Sequence, residues 1–313
     1  MAAGAEATTP GAATGALAAW FRRHAFEIAL VAPLVVYVLV FTVAPIFDTF
    51  RISFTARFAE TFPSAANYRA LADDPVFRDA VVNTVIVALL SIALELVVGM
   101  ATALALHKRF FGRGFARTVL LIPLGVPTIV SGAVMLLIFS RSGYLNAVMF
   151  HVADLVSVIP GIDWSYQPTN LTVAGGWRTL FTVAVADMWK VLPIVTLIFL
   201  AGLQSIPEEI YEAADIDGAT VWQKFTRVTL PLLVPYITMA LILRAIDAFR
   251  IFELALVLAG RVESILHVYI WNRYSPPTND PFTAAAGAAV LFAIIMVFIV
   301  LYLKFVGTRA AQR

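Results

Sequence analysis

The sequence predicts an all-α integral membrane protein with six transmembrane helices and one structured polar loop, and three observations carry that reading. Of 313 residues, 61% are hydrophobic and 13% charged, with a mean hydropathy of +0.87. A soluble domain carries roughly 25% charged residues, so this chain lacks the charge to cover its surface in water. Six apolar runs approach or exceed the ~20 residues a helix needs to cross a bilayer. Between the fourth and fifth lies a polar island, PEEIYEAADIDGATVWQKFTRVTLP, from Pro207 to Pro231. A β-barrel is excluded, because its strands would show as segments of about ten residues alternating apolar and polar.

The runs are Phe26–Phe47, Ala80–Leu106, Thr118–Phe139, Thr179–Leu203, Leu230–Leu258 and Thr283–Val306. Backbone groups in lipid must be satisfied within the segment, so each run becomes a helix. Ahead of them, residues 1–25 read as a disordered cytoplasmic tail, since Met1 to Ala19 are mostly Ala, Gly and Thr. A cleaved signal peptide competes with that reading, but the first run is long and ends at Pro45 without a small-residue cleavage pattern. Pro123, Gly125 and Pro127 interrupt the third run and Pro193 the fourth. Such breaks are compatible with packed kinks and with carbonyls exposed to a cavity. After the third run, the apolar stretch from Gly143 to Val158 is too short to cross. It fits a helix lying at the outer interface or an ordinary loop, flanked by Trp164, Tyr166 and Trp177 at headgroup depth. The last run opens with Thr283-Ala284-Ala285-Ala286-Gly287-Ala288-Ala289, small residues that let helices approach closely.

Lys and Arg near the run ends set the orientation. Lys108, Arg109, Arg113 and Arg117 crowd the link between the second and third runs, which is therefore expected inside. Six crossings then put both termini in the cytoplasm, in accord with Arg22 and Arg23 before the first run and Lys304, Arg309 and Arg313 after the last. Eleven cations fall in inner segments and eight in outer ones, the inner segments being shorter.

The polar island reads as helix, glycine turn, helix. Ser205 and Glu208 have the spacing of a capping box, with Pro207 in the first turn, and Thr220 and Gln223 repeat that spacing. Asp217-Gly218 ends the first helix, because Gly enters the left-handed cap at little cost. Val221, Phe225 and Val228 form an apolar stripe on the second helix. The first half is acidic (Glu208, Glu209, Glu212, Asp215, Asp217) and Ala213 and Ala214 allow another backbone to come close. From these residues alone the island is compatible with docking on a partner and with packing on its own bundle.

Several chemistries are absent. There is no cysteine, and the four histidines are scattered with no paired metal-ligand spacing. No phosphate-cradling loop exists, as none of Lys108, Lys190, Lys224 and Lys304 follows a glycine. No hydrolase signature is present, so no enzymatic activity is expected of this chain, and a net charge of +2 is too small for nucleic-acid binding.

Charges inside the runs cost about 2.5–3.5 kcal/mol each on insertion scales and need a reason. Glu95 lies in the second run; Asp187 and Lys190 lie three apart in the fourth and are expected to pair. Arg244, Asp247, Arg250 and Glu253 step by three along the fifth as a ladder of alternating sign. Glu95, Asp187, Lys190, Asp247 and Arg250 are the candidates for a polar substrate pathway. Mutual neutralisation that fixes helix packing is the other reading.

Glu212-Ala213-Ala214, then Gly218 after three residues, then Val228-Thr229-Leu230-Pro231 after nine more, resembles the EAA loop of binding-protein-dependent ABC permeases. PIFDTFRISFT from Pro45, Asn67-Tyr68, Asn83-Thr84, RFFGRGFARTVLLIP from Arg109, Tyr144-Leu145-Asn146 and RAIDAFRIF from Arg244 are similar to the maltose/glycerol-phosphate type of carbohydrate permease. One departure is the segment after the fifth run, where a Gly-rich stretch is usual and Leu258 to Glu263 read LAGRVE. The resemblance implies a six-helix permease domain over residues 26–307, with a coupling loop at 205–231 and a C-terminal cytoplasmic tail at 308–313. It implies that Glu212, Ala213, Ala214, Asp215 and Gly218 meet an ATP-binding subunit dimer, which would hold ATP and magnesium while this chain holds no cofactor. It also implies a second permease chain, an extracytoplasmic solute-binding protein, a carbohydrate-type solute and a bacterial or archaeal inner membrane. The rival from the charges alone is an ion-coupled secondary transporter of a polar solute, with Glu95 or Asp187 as proton site.

Overall fold

The computed structural model describes residues 20, 22–58, 61–159, 164–172, 176–260 and 265–310. The expected N-terminal tail at 1–19 and the departure at 261–263 lie outside the described residues. The described chain is helical, with no strand among the described residues. Helices are α1 (Ala25–Ser53), α2 (Ala66–Asp73), α3 (Pro75–His107), α4 (Arg113–Gly125), α5 (Thr128–Phe139) and α6 (Tyr144–Ser157). They continue as α7 (Gly176–Gln204), α8 (Glu208–Ile216), α9 (Val221–Ala248), α10 (Glu253–Leu258), α11 (Leu266–Tyr274) and α12 (Pro281–Ala310).

Six stretches are long and apolar enough to cross a membrane, as expected, and four of them (α1, α3, α7 and α12) cover the predicted runs. Two depart from the sequence reading. The third run, expected at Thr118–Phe139, is split into α4 and α5 by Val126 and Pro127, and the apolar stretch continues from Thr128 to Ser157 through a tight turn into α6. Proline removes a helical N–H donor and pushes the residue before it into an extended conformation; Val126 accordingly has ψ 129°. The fifth helix begins at Val221 and stops at Ala248, ten residues short of Leu258. No Gly or Pro marks that stop. Phe249 and Ile251 turn inward into two separate core clusters, and the chain resumes as α10, with Val257 packed on Gly132 of α5.

The long helices α3 and α7 pack side by side and α9 crosses both. Lipid tails are as apolar as leucine, so these contacts rest on van der Waals fit rather than on water exclusion. The fit is closest at Gly202 of α7, where a Cβ would lie 2.6 Å from Leu233 Cδ2 and 2.7 Å from the Tyr236 ring. Around it Met100, Val195, Phe199, Leu203 and Leu233 form one core cluster. Ala284, Ala286 and Ala289 at the start of α12 are buried, which bears out close packing for the small-residue stretch.

The end of the bundle opposite α8 is closed by buried polar side chains. Asn67 Nδ2 donates to the Ser53 and Thr55 carbonyls at 2.9 and 2.8 Å. Asn146 uses its full bonding capacity: Nδ2 donates to Ser140 O and Thr169 O, and Oδ1 accepts from Tyr166 Oη and Thr169 N. Thr84 Oγ1 accepts from Leu266 N at 2.7 Å, fixing the start of α11. The Asn-Tyr, Asn-Thr and Tyr-Leu-Asn segments singled out in the sequence therefore include loop-closing residues.

Asp74 caps α3 by accepting from Val76 N at 2.9 Å and binds Tyr269 Oη at 2.7 Å and Arg273 from α11. Burial opposes its ionisation, but the bonds from Tyr269, Arg273 and Val76 outweigh burial and hold the carboxyl below its ordinary value of 3.8. A depressed carboxyl stabilises the fold above its unfolded pKa and loses that contribution as pH falls through the folded value. Asp74→Asn is therefore expected to lower stability by about 1–2 kcal/mol at pH 7. In detergent melts the gap to wild type should close as the pH drops below 3.8; a gap that persists in acid would remove the charge from the account.

Candidate functional site

The polar island folds as a protruding helix–turn–helix. α8 ends at Ile216 with Asp217 as its C-cap, and the chain reverses at Gly218, whose φ of +72° is the left-handed conformation expected there. Gly218 N donates to Asp215 O at 3.0 Å and Ala219 N to Ala214 O at 2.9 Å, closing the end of α8. The Thr220/Gln223 capping box forms, with both reciprocal bonds present. The Ser205/Glu208 box does not. Ser205 Oγ instead donates to Gly202 O at 2.8 Å and accepts from Tyr236 Oη at 3.0 Å, because the turn after α7 draws it back toward the bundle.

Two struts tie α8 to the start of α9. Tyr211 Oη meets Thr229 Oγ1 at 3.0 Å, and Lys224 Nζ pairs with Asp215 Oδ1 at 2.6 Å. Thr229 closes a π-helical turn, Phe225–Thr229, and its hydroxyl also reaches the Lys224 carbonyl at 3.3 Å. Glu212, Ala213, Asp215 and Gly218 are exposed and Ala214 is half-buried. Beside them Ile216, Val221 and Trp222 are exposed by 87, 81 and 71%. That is an apolar patch with an acidic border, at the turn between α8 and the start of α9.

The second polar site is buried. Glu95 (0% exposed), Asp187 (5%) and Arg244 (2%) converge from α3, α7 and α9. Arg244 Nε and Nη2 donate to the two Glu95 oxygens at 2.5 and 2.8 Å, and Nη2 also donates to Asp187 Oδ2 at 2.7 Å. This two-pronged geometry is the strongest that arginine and carboxylate form. Ser91, one turn before Glu95 on α3, donates to Glu95 Oε1 at 2.9 Å and also contacts Asp187 Oδ2.

The expected Asp187–Lys190 pair is not made. Lys190 Nζ donates to the carbonyls of Pro123, at 2.8 Å, and Val126. The break in the third run frees those carbonyls, and a cation at a helix C-terminus satisfies them. The charge ladder is also not made. Arg244 turns to α3 and α7, reaches Asp247 only at 3.5 Å, and the helix ends before Arg250 and Glu253 can extend the row. Asp247 is exposed on a wall shared with Met239, Leu243 and Ile246, and Arg250 is exposed beyond the helix end. The five candidate pathway residues thus separate into Glu95 and Asp187 in one sealed cluster, Lys190 at the helix break, and Asp247 and Arg250 near the end of α9.

Sequence reasoning missed the central place of Arg244 and the contributions of Ser91, Tyr211 and Thr229. Ser91 left a signal in its i, i+4 spacing to Glu95, and Arg244 and Thr229 stood in segments already singled out, but no local spacing pointed to their distant partners.

Comparison with known proteins agrees with this architecture. The family model described as "Binding-protein-dependent transport system inner membrane component" matches residues 95–311. The trehalose/maltose transport system permease protein MalF of Thermococcus litoralis is 34% identical, over 91% of this chain and 94% of its own length. The trehalose transport system permease protein SugA of Mycobacterium tuberculosis is 31% identical, over 92% of this chain and 90% of its own. The fold matches a chain in the crystal structure of a bacterial alginate ABC transporter in complex with an alginate pentasaccharide-bound periplasmic protein. The TM-score is 0.73 at 22% identity, covering 91% of this chain and 94% of that one. With the six apolar stretches and the protruding loop between α7 and α9, these matches establish that the chain belongs to the inner membrane components of binding-protein-dependent transport systems, the permeases of ABC transporters.

Proposed function

We propose that this permease forms half of the translocation pathway of an ATP-driven importer for a sugar or related carbohydrate. The observation that carries the reading is α8: an acidic helix, held in place by its own struts, with Ile216, Val221 and Trp222 exposed beside it. Exposed apolar patches of this kind mark protein contacts. In this reading an ATP-binding subunit dimer, holding ATP and magnesium, grips Glu212, Ala213, Ala214, Asp215 and Gly218. A second permease chain completes the pathway, and a solute-binding protein delivers substrate at the end carrying α11. Both termini and α8 face the cytoplasm of a bacterial or archaeal cell. The carbohydrate class is supported by relatives that bear trehalose and maltose in their names. Asp247 and Arg250, exposed near the end of α9, fit solute hydroxyls better than Glu95 and Asp187, which are already bonded to Arg244.

Uptake of labelled trehalose or maltose in cells carrying the whole system tests this reading. Vanadate is expected to abolish it and protonophores to leave it initially intact; the opposite pattern would return the ion-coupled alternative.

The struts make a finer prediction. Tyr211→Phe removes one hydroxyl and a bond worth about 0.5–1.5 kcal/mol. The ATP-binding subunit should still copurify, while solute moved per ATP hydrolysed falls severalfold, because α8 no longer drags the π-turn with it. An unchanged transport-to-hydrolysis ratio would show the Tyr211–Thr229 bond to be idle.

A further inference from the structure

The link between α3 and α4 carries Lys108 and Arg109, the first turns of α4 carry Arg113 and Arg117, and the sequence has no acidic residue between Glu95 and Asp154. Among the described residues none of the four cations forms an ion pair. Lys108 and Arg109 are exposed, while Arg113 and Arg117 are half-buried one turn apart on α4. Their Nε donors are buried without a partner, and Arg117 makes only a long contact, 3.4 Å, to Leu106 O. A buried donor left unbonded is costly, and guanidinium is well matched to phosphate.

Directly along the membrane-spanning side of these cations runs an open apolar groove of ≈ 590 Å³ between α3 and α4. Its walls run from Val97 to Leu106 on α3 and from Ala116 to Leu120 on α4. The nine helical rises from Val97 to Leu106 make it about 13 Å long. Phe111 in the link and Phe115 in the first turn of α4 are exposed by 105 and 76%. Five residues, 108–112, separate α3 from α4, and Lys108, Arg109 and Phe111 fall among them.

We propose that this groove and its basic end form a binding site for an anionic phospholipid. The phosphate lies against Arg113 and Arg117 with Lys108 and Arg109 at the rim, an acyl chain lies in the groove, and Phe111 and Phe115 insert into the surrounding leaflet. The alignment of apolar groove, unpaired guanidinium groups and exposed aromatic rings fits a lipid better than an acidic protein, which would use the cations and leave the groove empty. Clusters of four or more cations beside a span are known to attract anionic headgroups.

Native mass spectrometry of the full chain, purified with its copurifying subunits from mixed phosphatidylglycerol and phosphatidylcholine nanodiscs, tests the site. Wild type is expected to retain phosphatidylglycerol severalfold over phosphatidylcholine, and millimolar inorganic phosphate should not displace it. Arg113→Gln/Arg117→Gln should abolish the preference. Ala101→Phe, which obstructs the groove and leaves every charge in place, should reduce retention of both lipids while elution and subunit content stay as in wild type. Equal retention of the two lipids by wild type, unchanged retention by the Ala101→Phe variant, or a site occupied by a copurifying subunit with no lipid bound would each overturn the proposal.

Discussion

Arg244→Met is expected to remove most of the folded protein from the membrane. The substitution leaves Glu95 and Asp187 buried around Ser91 with their shared cation gone. Breaking a buried pair by deleting one partner costs about 3–5 kcal/mol, a large part of the 5–15 kcal/mol that holds a typical protein folded. The loss falls where α3, α7 and α9 meet, so it separates the helices that form the centre of the bundle. Arg244→Lys should rescue little, since a single ammonium cannot reproduce the fork that engages both Glu95 oxygens and Asp187. The triple variant Glu95→Gln/Asp187→Asn/Arg244→Met should recover part of the yield, because it leaves no uncompensated charge. Fluorescence-detected size exclusion and detergent melts measure all three. An Arg244→Met protein that accumulates and melts like wild type would reduce the cluster to a bystander.

The second large effect is expected at Gly218. Its φ of +72° lies in the left-handed region, and a Cβ built there meets nothing within 4 Å, so space is not the constraint. Gly218→Val fails on backbone strain alone, about 1–3 kcal/mol for a non-glycine residue held in that region, at the stiff end for a β-branched one. The turn would open and α8 would lose its register with α9. Insertion should be unaffected, because the turn lies outside the spans, while uptake falls roughly tenfold or more, tenfold being the equivalent of 1.4 kcal/mol. Gly218→Asn, which tolerates left-handed backbone, should keep far more transport than Gly218→Val. Uptake and copurification of the ATP-binding subunit read the two variants side by side, and equal activity would count against a role for the turn.

The contrast between these two sites explains what was legible without coordinates. Gly218, the Thr220/Gln223 box and the acidic run before them act on neighbours a few residues away, so spacing alone predicts the turn and the cap. The Ser205/Glu208 box has the same spacing and does not form, because Tyr236, 31 residues on, competes for the serine hydroxyl. Lys190 was expected on Asp187 by the same local logic, but the third span breaks 64 residues earlier and offers it two bare carbonyls. Arg244 had three nearby charges in its own segment and bonds most closely to two on other helices, one of them 149 residues away. For Arg244 the local partner Asp247 is exposed and the distant ones are buried, and burial strengthens an electrostatic bond; for Lys190 the local partner Asp187 is itself buried and already bonded to Arg244 and Ser91.

Composition and periodicity alone determined that the chain crosses a membrane six times and keeps one ordered polar loop between its fourth and fifth crossings, because bilayer thickness and backbone hydrogen bonding leave no other form for runs of that length. Tertiary structure alone decided which charges meet. A helix fixes which residues share its face, but not which neighbour faces them, and it is the convergence of α3, α7 and α9 that turns scattered Glu95, Asp187 and Arg244 into one closed cluster and leaves Asp247 and Arg250 exposed.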